Sequence, residues 1–547
     1  MRVYLALLFV FVSCLNAASV KKVAPFSNIK RYSLSGTIYL PYAEIEEPFR
    51  AWYDVDQSAS RIDYYDGMET TIQLAPTSSK DYGTGIKISP MTDEVQTNVR
   101  TCFWLNGTKD APVEIQRAIP DTSDFTFIGE ATWKTYSVDK WETVVQEGDK
   151  KNTYTFYINS KNGNPLYYEM IGYDSLLGSH YDKYYIEYYN FDTDEISPSV
   201  FAITTSLKCR DFPGPGAKNR ASVNPMREFI HSDDSHVHDE FTKFQKHHVK
   251  NYQTVMEHKE RQHIFRQNLR YINAINRRGL SFRLAINHLA DKSDEELSLL
   301  RGKLKSSGQK KSNNGLPFDM SKYQNKALPD TWDWRIYGAV TPVKDQGICG
   351  SCWSFGTAGA IEGAHFLKHK SLIRLSQQNL VDCSWGFGNN GCDGGEDFRA
   401  YDWIIKHGGI ATEESYGKYL SADGYCHFNN ATVGARMHGY VNVTPFDAVA
   451  LKTALVNEGP ISIAIDAGHK SFVFYANGVY YEPECGNKED DLDHAVLLVG
   501  YGNIYGQDYW LVKNSWSTYW GNDGYVLMSQ KDNNCGVTTQ TTYPLVL

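Results

Sequence analysis

The chain has 547 residues, 41% of them hydrophobic, and a formal net charge of −9. That length exceeds what one core usually supports and points to two to four domains. So modest a charge argues against a nucleic-acid partner without selecting another.

Residues 1–18 read as a secretory signal: Arg2, an apolar run from Val3 to Val12, then small residues ending at Ala17 and Ala18. A core of about ten apolar residues is too short for a bilayer, which needs about 20. No other segment comes closer, so no membrane span is expected. With Cys14 removed and Cys352 set aside, eight cysteines remain, an even number suited to four bridges in an oxidising compartment. Sequence alone does not pair them. Asn106, Asn430 and Asn442 head glycosylation sequons, the third disfavoured by Pro445. The expected route is the secretory pathway, ending in lysosomes, endocytic granules or the extracellular space.

Residues 19–216 are rich in tyrosine and in period-2 runs such as Tyr184–Tyr189, with a turn signal at Asn162-Gly163-Asn164-Pro165. Antiparallel strands follow from that pattern. Only Cys102 and Cys209 fall here, so their bridge is the simplest pairing. Phe212-Pro213-Gly214-Pro215-Gly216 cannot continue a strand or helix and sets a boundary. Residues 217–238 are taken as a linker. From 239 to 278 glycine and proline vanish and apolar residues recur at helical spacing, as in Val255, Phe265, Leu269, Ile272 and Ile275. Residues 301–327 are polar and glycine-bearing, like an exposed connector that a processing protease reaches. Residues 328–547 have mixed helix and strand character.

The chemistry concentrates in that last segment. Gln346-Gly347-Ile348-Cys349-Gly350-Ser351-Cys352-Trp353 is followed by His494, 142 residues after Cys352, and by Asn514 in Lys513-Asn514-Ser515-Trp516. Cys-Gly-Ser-Cys-Trp with a histidine and an asparagine at that distance is a nucleophilic-cysteine signature. A thiolate attacks carbonyls where a thiol does not. A helix beginning at Trp353 places Cys352 at a positive helix end, and His494 can share its proton. Asn514 offers an amide oxygen to orient the ring. Gln346 and the Cys352 backbone N–H are candidate oxyanion donors. A buried structural cysteine and a core histidine are the bland alternatives; the joint spacing weighs against both. Beyond Cys349 and Cys352 no compact Cys/His set accompanies the cysteines, so neither metal nor cofactor is expected.

These residues resemble the papain family of cysteine peptidases, cathepsin L-like branch, over nearly all of 328–547. Glu257, Arg261, Phe265, Asn268, Ile272 and Asn276 fit the ERFNIN pattern of that branch's inhibitory propeptide. Its GNFD element is partly kept in Ala285–Asp291, with alanine for its glycine and leucine for its phenylalanine. The long module ahead of the propeptide resembles the two-chain haemocyte cysteine proteinases of insects, and the module itself is similar to secreted ependymin-type domains.

The resemblance implies an α+β fold: a two-lobed peptidase (helical lobe plus β-barrel lobe) over 328–547, a helical propeptide over 239–300 and a β-rich domain over 19–216, curved around an apolar cavity. It implies the bridges Cys349–Cys392, Cys383–Cys426 and Cys485–Cys535, and Trp516 shielding the His494–Asn514 bond. It implies a substrate cleft at Gly394, Gly395, Glu396, Asp397, Ala464, Leu492, Asp493, Trp516 and Gln540. Acidic Glu396 and Asp397 stand where relatives carry apolar or aromatic walls of S2, which suggests acceptance of basic or polar P2 residues; carboxylates turned to solvent are the alternative. No histidine-rich occluding loop is present, so endopeptidase action is expected.

The implied protein is a zymogen that hydrolyses peptide bonds of proteins through a thioester, with its propeptide as intramolecular inhibitor. Cleavage is expected near Ala327-Leu328, and the cleaved amino-terminal domain is a candidate retained chain. The opposing reading makes that domain a ligand- or protein-binding module and the protease segment vestigial. Eight of the 16 histidines lie between His231 and His288, including His247-His248, which suggests a pH-sensitive inhibitor.

Overall fold

The computed structural model describes residues 22, 25–91, 98–204, 207–212, 224–230, 234–304, 313–323 and 326–547. The expected signal segment with Cys14, the Pro213–Gly216 boundary, His231 and much of the 305–327 connector lie outside the described residues.

The amino-terminal third is a single sheet of twelve strands. These are β1 (Arg31–Leu40), β2 (Ile45–Asp54), β3 (Ala59–Tyr64), β4 (Glu69–Leu74), β5 (Thr84–Met91), β6 (Val99–Asn106), β7 (Thr126–Trp133), β8 (Tyr136–Glu147), β9 (Lys150–Asn159), β10 (Pro165–Asp174), β11 (Ser179–Asp192) and β12 (Cys209–Asp211). Their spatial order is β12-β6-β5-β4-β3-β2-β1-β11-β10-β9-β8-β7. Two antiparallel meanders thus meet where β1 pairs with β11. Alternation builds the buried face: β1 buries Tyr32, Leu34, Ile38 and Leu40, and β11 buries Tyr184, Ile186 and Tyr188. Gly163, at φ 73°, supplies the left-handed position of the turn between β9 and β10. Cys102 stands opposite Cys209 on parallel β6 and β12, and the two are bonded.

Two expectations need correcting here. Residues 224–230 and 234–238 are packed structure rather than linker: α1 (Met226–Ile230) buries Met226, Phe229 and Ile230, and α2 (Ser235–His247) has begun by residue 235. The Tyr64 hydroxyl accepts from Met226 N at 3.0 Å, and the Tyr184 hydroxyl donates to Phe229 O at 2.8 Å. Three apolar side chains in five residues outweighed the polar surroundings that suggested a linker. The sheet face expected to enclose an apolar cavity is covered instead by α1 and by the long α3 (Val255–Arg277).

The segment expected to be the inhibitor consists of α2, α3, β13 (Phe282–Leu284) and α4 (Asp294–Ser298). Thr254 caps α3 by accepting from Glu257 N at 3.0 Å. Phe265 lies buried between Phe241 and Phe244 of α2. Asn268 donates to Ala290 O at 3.0 Å, Asn276 pairs with both backbone groups of Leu284, and Arg261 with Glu296. Polar positions of the helix therefore fasten the chain that returns over it.

The last 220 residues form two lobes. One is gathered around α5 (Cys352–His369), α6 (Gln377–Cys383) and α7 (Asp397–His407). The other is a sheet built from β14 (Met437–Asn442), β15 (Ile461–Ile465), β16 (Tyr475–Tyr480), β17 (His494–Ile504), β18 (Gln507–Lys513), β19 (Tyr525–Ser529) and β20 (Thr541–Val546), in the order β16-β19-β18-β17-β15-β20-β14. The inhibitor extends this sheet: β13 pairs antiparallel with edge strand β16, Phe282 opposite Gly478. Bridges join Cys349 to Cys392, Cys383 to Cys426 and Cys485 to Cys535. No helix among the described residues is long and apolar enough to cross a membrane.

Candidate active site

Cys352 is the first residue of α5, and Ser351 ahead of it is non-helical, so the sulfur sits at the positive end of an 18-residue helix. The Cys349–Cys392 bond pins the loop that leads into it. His494 opens β17, and Asn514 follows β18, its antiparallel neighbour. Pairing of those strands brings His494 Nε2 to 2.8 Å from Asn514 Oδ1. That oxygen also accepts the Ser515 N–H, so Nε2 is the donor and carries the proton. Among the described residues Nδ1 of His494 makes no hydrogen bond. The Ala495 N–H points at Cys352 Sγ at 3.5 Å, and Trp516 lies 4.8 Å from the imidazole, centroid to centroid. The Gln346 amide is fixed by Ser515 Oγ, which donates to its Oε1 at 2.6 Å.

The inhibitor runs through this cleft. Leu300 O accepts from Gln346 Nε2 at 2.9 Å, and Gly302 N donates to Cys352 Sγ at 3.3 Å. Gly395 N donates to Gly302 O and Leu304 N to Gly395 O, a parallel bridge centred on Lys303. Lys303 N donates to Asp493 O, and Arg301 pairs with the Asp493 carboxylate at 3.4 Å. The Gln346 amide, the Cys352 thiol and the main-chain groups of Gly395 and Asp493 are thus all engaged by five residues, 300–304. The expectation of an exposed connector from 301 onward therefore needs correcting at its start. A Cβ on Gly302 would lie 1.7 Å from Gly350 O, so glycine is what lets the backbone approach.

Water exclusion changes the chemistry. Burial pushes the Cys352 thiol up to about 11 and the His494 imidazolium down to about 4. The pair is neutral while the inhibitor covers it.

Comparison with known proteins bears on this geometry. The profile of the papain family cysteine proteases matches residues 328–545, and that of the cathepsin propeptide inhibitor domain (I29) matches residues 241–297. A cathepsin L-like peptidase of Aedes aegypti is 49% identical over 320 residues, which span 57% of this chain and 94% of the relative. Cathepsin L of Sarcophaga peregrina is 44% identical over 331 residues, 57% of this chain and 93% of the relative. The chain belongs to the papain family of cysteine proteases. Among solved structures, digestive procathepsin L2 of Tenebrio molitor superposes with a TM-score of 0.53 at 34% identity, covering 56% of this chain and 99% of that one. This papain-family chain is a cathepsin L-like cysteine protease zymogen with its own propeptide inhibitor domain. Neither profile reaches the twelve-stranded sheet.

The remaining cleft residues of the protease divide by what they touch. Glu396 is 6% exposed, accepts from Gln540 Nε2 at 3.2 Å and stands 3.9 Å from the buried ammonium of Lys303. Burial pushes its carboxyl up to about 7, against the pull of Lys303. Asp397 does not join it, because its carboxylate accepts from Thr542 Oγ1 at 2.6 Å and from Phe398 N at the start of α7. Ala464 and Leu492 are buried, and the Ala464 N–H reaches Gln540 O at 3.0 Å. Gly394, at φ 113°, faces Gly302 O. Asn106 and Asn430 are exposed, whereas Asn442 is half-buried and exchanges amide hydrogen bonds with Asn313. Asp466, His469 and Cys485 cluster, but the sulfur is already bonded to Cys535.

Sequence reasoning missed Gly302, Lys303 and Leu300. Their signal was the distance from the ERFNIN helix rather than any motif of their own. Asp174, Asp182, Glu47 and the cations of α3 that meet them were also missed, although those cations recur at helical spacing.

Proposed function

We propose that Cys352 is the nucleophile, His494 its proton partner, Asn514 the orienter of that ring, and Gln346 with the Cys352 N–H the oxyanion donors. The observation that carries this reading is the inhibitor backbone itself, which lays a carbonyl on Gln346 and an N–H on Cys352. Departure of residues 300–304 readmits water and removes the burial that keeps the pair neutral. The thiol proton then passes to Nδ1 of His494, and the thiolate at the helix end attacks the scissile carbonyl carbon. Negative charge develops on the carbonyl oxygen and is met by the oxyanion donors. His494 returns the proton to the leaving amine, a thioester remains on Sγ, and water deprotonated by the same imidazole hydrolyses it. Asp493 and Gly395 hold the substrate strand through their main-chain groups, and Trp516 keeps water from the His494–Asn514 bond.

For substrate choice, Glu396 at the base of S2 favours lysine or arginine at P2. The buried Lys303 beside it supports this reading, with Gln540 as its second partner. Processing is assigned near Ala327-Leu328, where Lys326 and Ala327 are exposed. We take the domain limits as the β-rich amino-terminal domain to about 216, the inhibitor from 235, where α2 begins, and the peptidase from 328. Four bridges and exposed sequons at Asn106 and Asn430 support passage through the secretory pathway to a lysosomal, granular or extracellular site.

Titration of fully processed enzyme with a thiolate-alkylating epoxide, in wild type and Cys352→Ser, tests the catalytic reading. One equivalent with turnover in the wild type and neither in the variant is expected. A P2 library on the same enzyme should lose its preference for lysine in Glu396→Leu. A strict apolar profile in both proteins refutes the S2 assignment.

A further inference from the structure

α3 has two faces. At 100° per residue, the ERFNIN positions Glu257, Arg261, Phe265, Asn268, Ile272 and Asn276 share one stripe, and Lys259, His263, Arg266, Arg270 and Arg277 share another about 160° away. The first stripe fastens the inhibitor to itself. The second points at the twelve-stranded sheet.

Its contacts advance across the strands in spatial order. Lys259 pairs with Asp149, between β8 and β9, at 2.6 Å. His263 stacks on Tyr181 and lies 3.4 Å from Asp174 at the end of β10. Arg270 Nη1 reaches Asp182 of β11 at 2.7 Å while its Nε reaches Glu228 of α1 at 2.6 Å. Arg277 forms a buried fork with both carboxylate oxygens of Glu47 on β2. Beyond the helix, Asn98 donates to Gly279 O at 3.1 Å, and Arg283 to Pro90 O of β5 at 2.6 Å. Eighteen residues of helix cover about 27 Å. Four strand spacings from β9 to β2 cover about 19 Å, so one oblique crossing accounts for every contact. Burial opposes ionisation of Asp182, yet Arg270 and Arg266 outweigh it and hold the carboxyl low. The buried charges of Arg270 and Arg277 therefore each have a counter-charge across the interface, in Asp182 and Glu47.

We propose that the sheet of residues 31–211 is a receptor for the basic face of the inhibitor helix. Residues 25–304 then act as one inhibitory body, and latency of the zymogen depends on the sheet. The helix reaches the enzyme through β13 and the 300–304 segment, so holding α3 in place presents both in register. After the connector is cut, the helix leaves the peptidase with the sheet, folded on it.

The test uses the full-length zymogen, nicked by limited proteolysis within 305–327 at neutral pH, with the appearance of peptidase activity followed over time. Lys259 and Asp149 lie at the rim of the interface, where charge changes leave the fold intact. Lys259→Glu should speed activation about threefold, and adding Asp149→Lys should return the rate to within about twofold of wild type. The epoxide titre after complete processing should be equal in all three, which separates failure of this proposal from failure of the catalytic reading. Hydrogen exchange on the released amino-terminal fragment should find the amides of α3 still protected. An unchanged activation rate in Lys259→Glu, or α3 amides that exchange freely once off the enzyme, overturns the proposal.

Discussion

Gly302 is the residue on which latency turns. It lies between Gly350 and Gly394 and gives its N–H to Cys352 and its carbonyl to Gly395, so no atom separates the inhibitor backbone from the catalytic loop. Forcing extra carbon into such a contact costs about 1–3 kcal/mol. Gly302→Ala should therefore raise the activity of intact zymogen on a small fluorogenic peptide at neutral pH by about five- to a hundredfold, with the processed enzyme unchanged. Equal background activity in the two zymogens would mean that the segment binds elsewhere. At this scale the proposed catalytic residues were legible because spacing and residue type coincide in short motifs, and the fold brings His494 to Asn514 and the Ala495 N–H to Cys352. Gly302 was not, since a glycine among lysines and serines reads as a connector until its neighbour is known. The S2 region shows the same limit: Asp397 and Glu396 are adjacent in sequence, but the turn into α7 sends their carboxylates to different partners.

At the scale of elements, the apolar period of 239–278 was sufficient to find α3, and Phe265, Leu269, Ile272 and Ile275 are indeed buried, whereas Val255, in the first turn, is exposed. Reading only apolar positions hid the charged stripe, because cations at helical spacing look like a solvated face until an acidic sheet is laid against them. The histidine cluster can now be given a sign. His248 and His288 lie against Tyr519 of the peptidase, with His247, Lys250, Asp291 and Lys292 around them. Burial pushes both imidazoles down to about 4, helped for His248 by His247, His288 and Lys250, and for His288 by Lys250. Undocked, each titrates near 6.5. Between about pH 6.5 and about pH 4 only the undocked state takes up the protons, so docking weakens as pH falls. Glu396 acts the other way. Its carboxyl, raised to about 7 under Lys303, favours the docked state until pH rises through that value. With two imidazoles against one carboxyl, acid should release the inhibitor. His248→Gln with His288→Gln should move the midpoint of self-processing to lower pH by about half a unit or more; a profile that stays in place would assign the acid response to other groups.

For the whole molecule, the sequence revealed three segments but not their order of stacking, because the contacts that layer them lie far apart along the chain. Glu47 meets Arg277, and Phe282 meets Gly478. Inhibitor residues 239–296 carry a formal charge of +3, whereas the peptidase from 328 onward carries −10. The sheet presents Asp149, Asp174, Asp182 and Glu47 to the same inhibitor. A basic layer thus lies between two acidic ones, and the two interfaces differ in their access to ions. Exposed charges are screened within about 10 Å at 0.1 M salt and about 3 Å at 1 M, buried pairs far less. The Arg277–Glu47 and Arg270–Asp182 pairs are buried on both sides, so the sheet should keep its helix at any moderate ionic strength. The inhibitor–peptidase face relies on partly exposed pairs such as Lys470–Asp294 and Arg301–Asp493, and on net charge. Raising salt from about 0.05 M to about 0.5 M at pH 7 should therefore speed release of the inhibitor from nicked zymogen two- to fivefold. Protection of α3 against hydrogen exchange should not change. Salt that exposed α3 and left release untouched would reverse the assignment of the tight and loose faces, and with it the conclusion that the inhibitor departs on the sheet rather than alone.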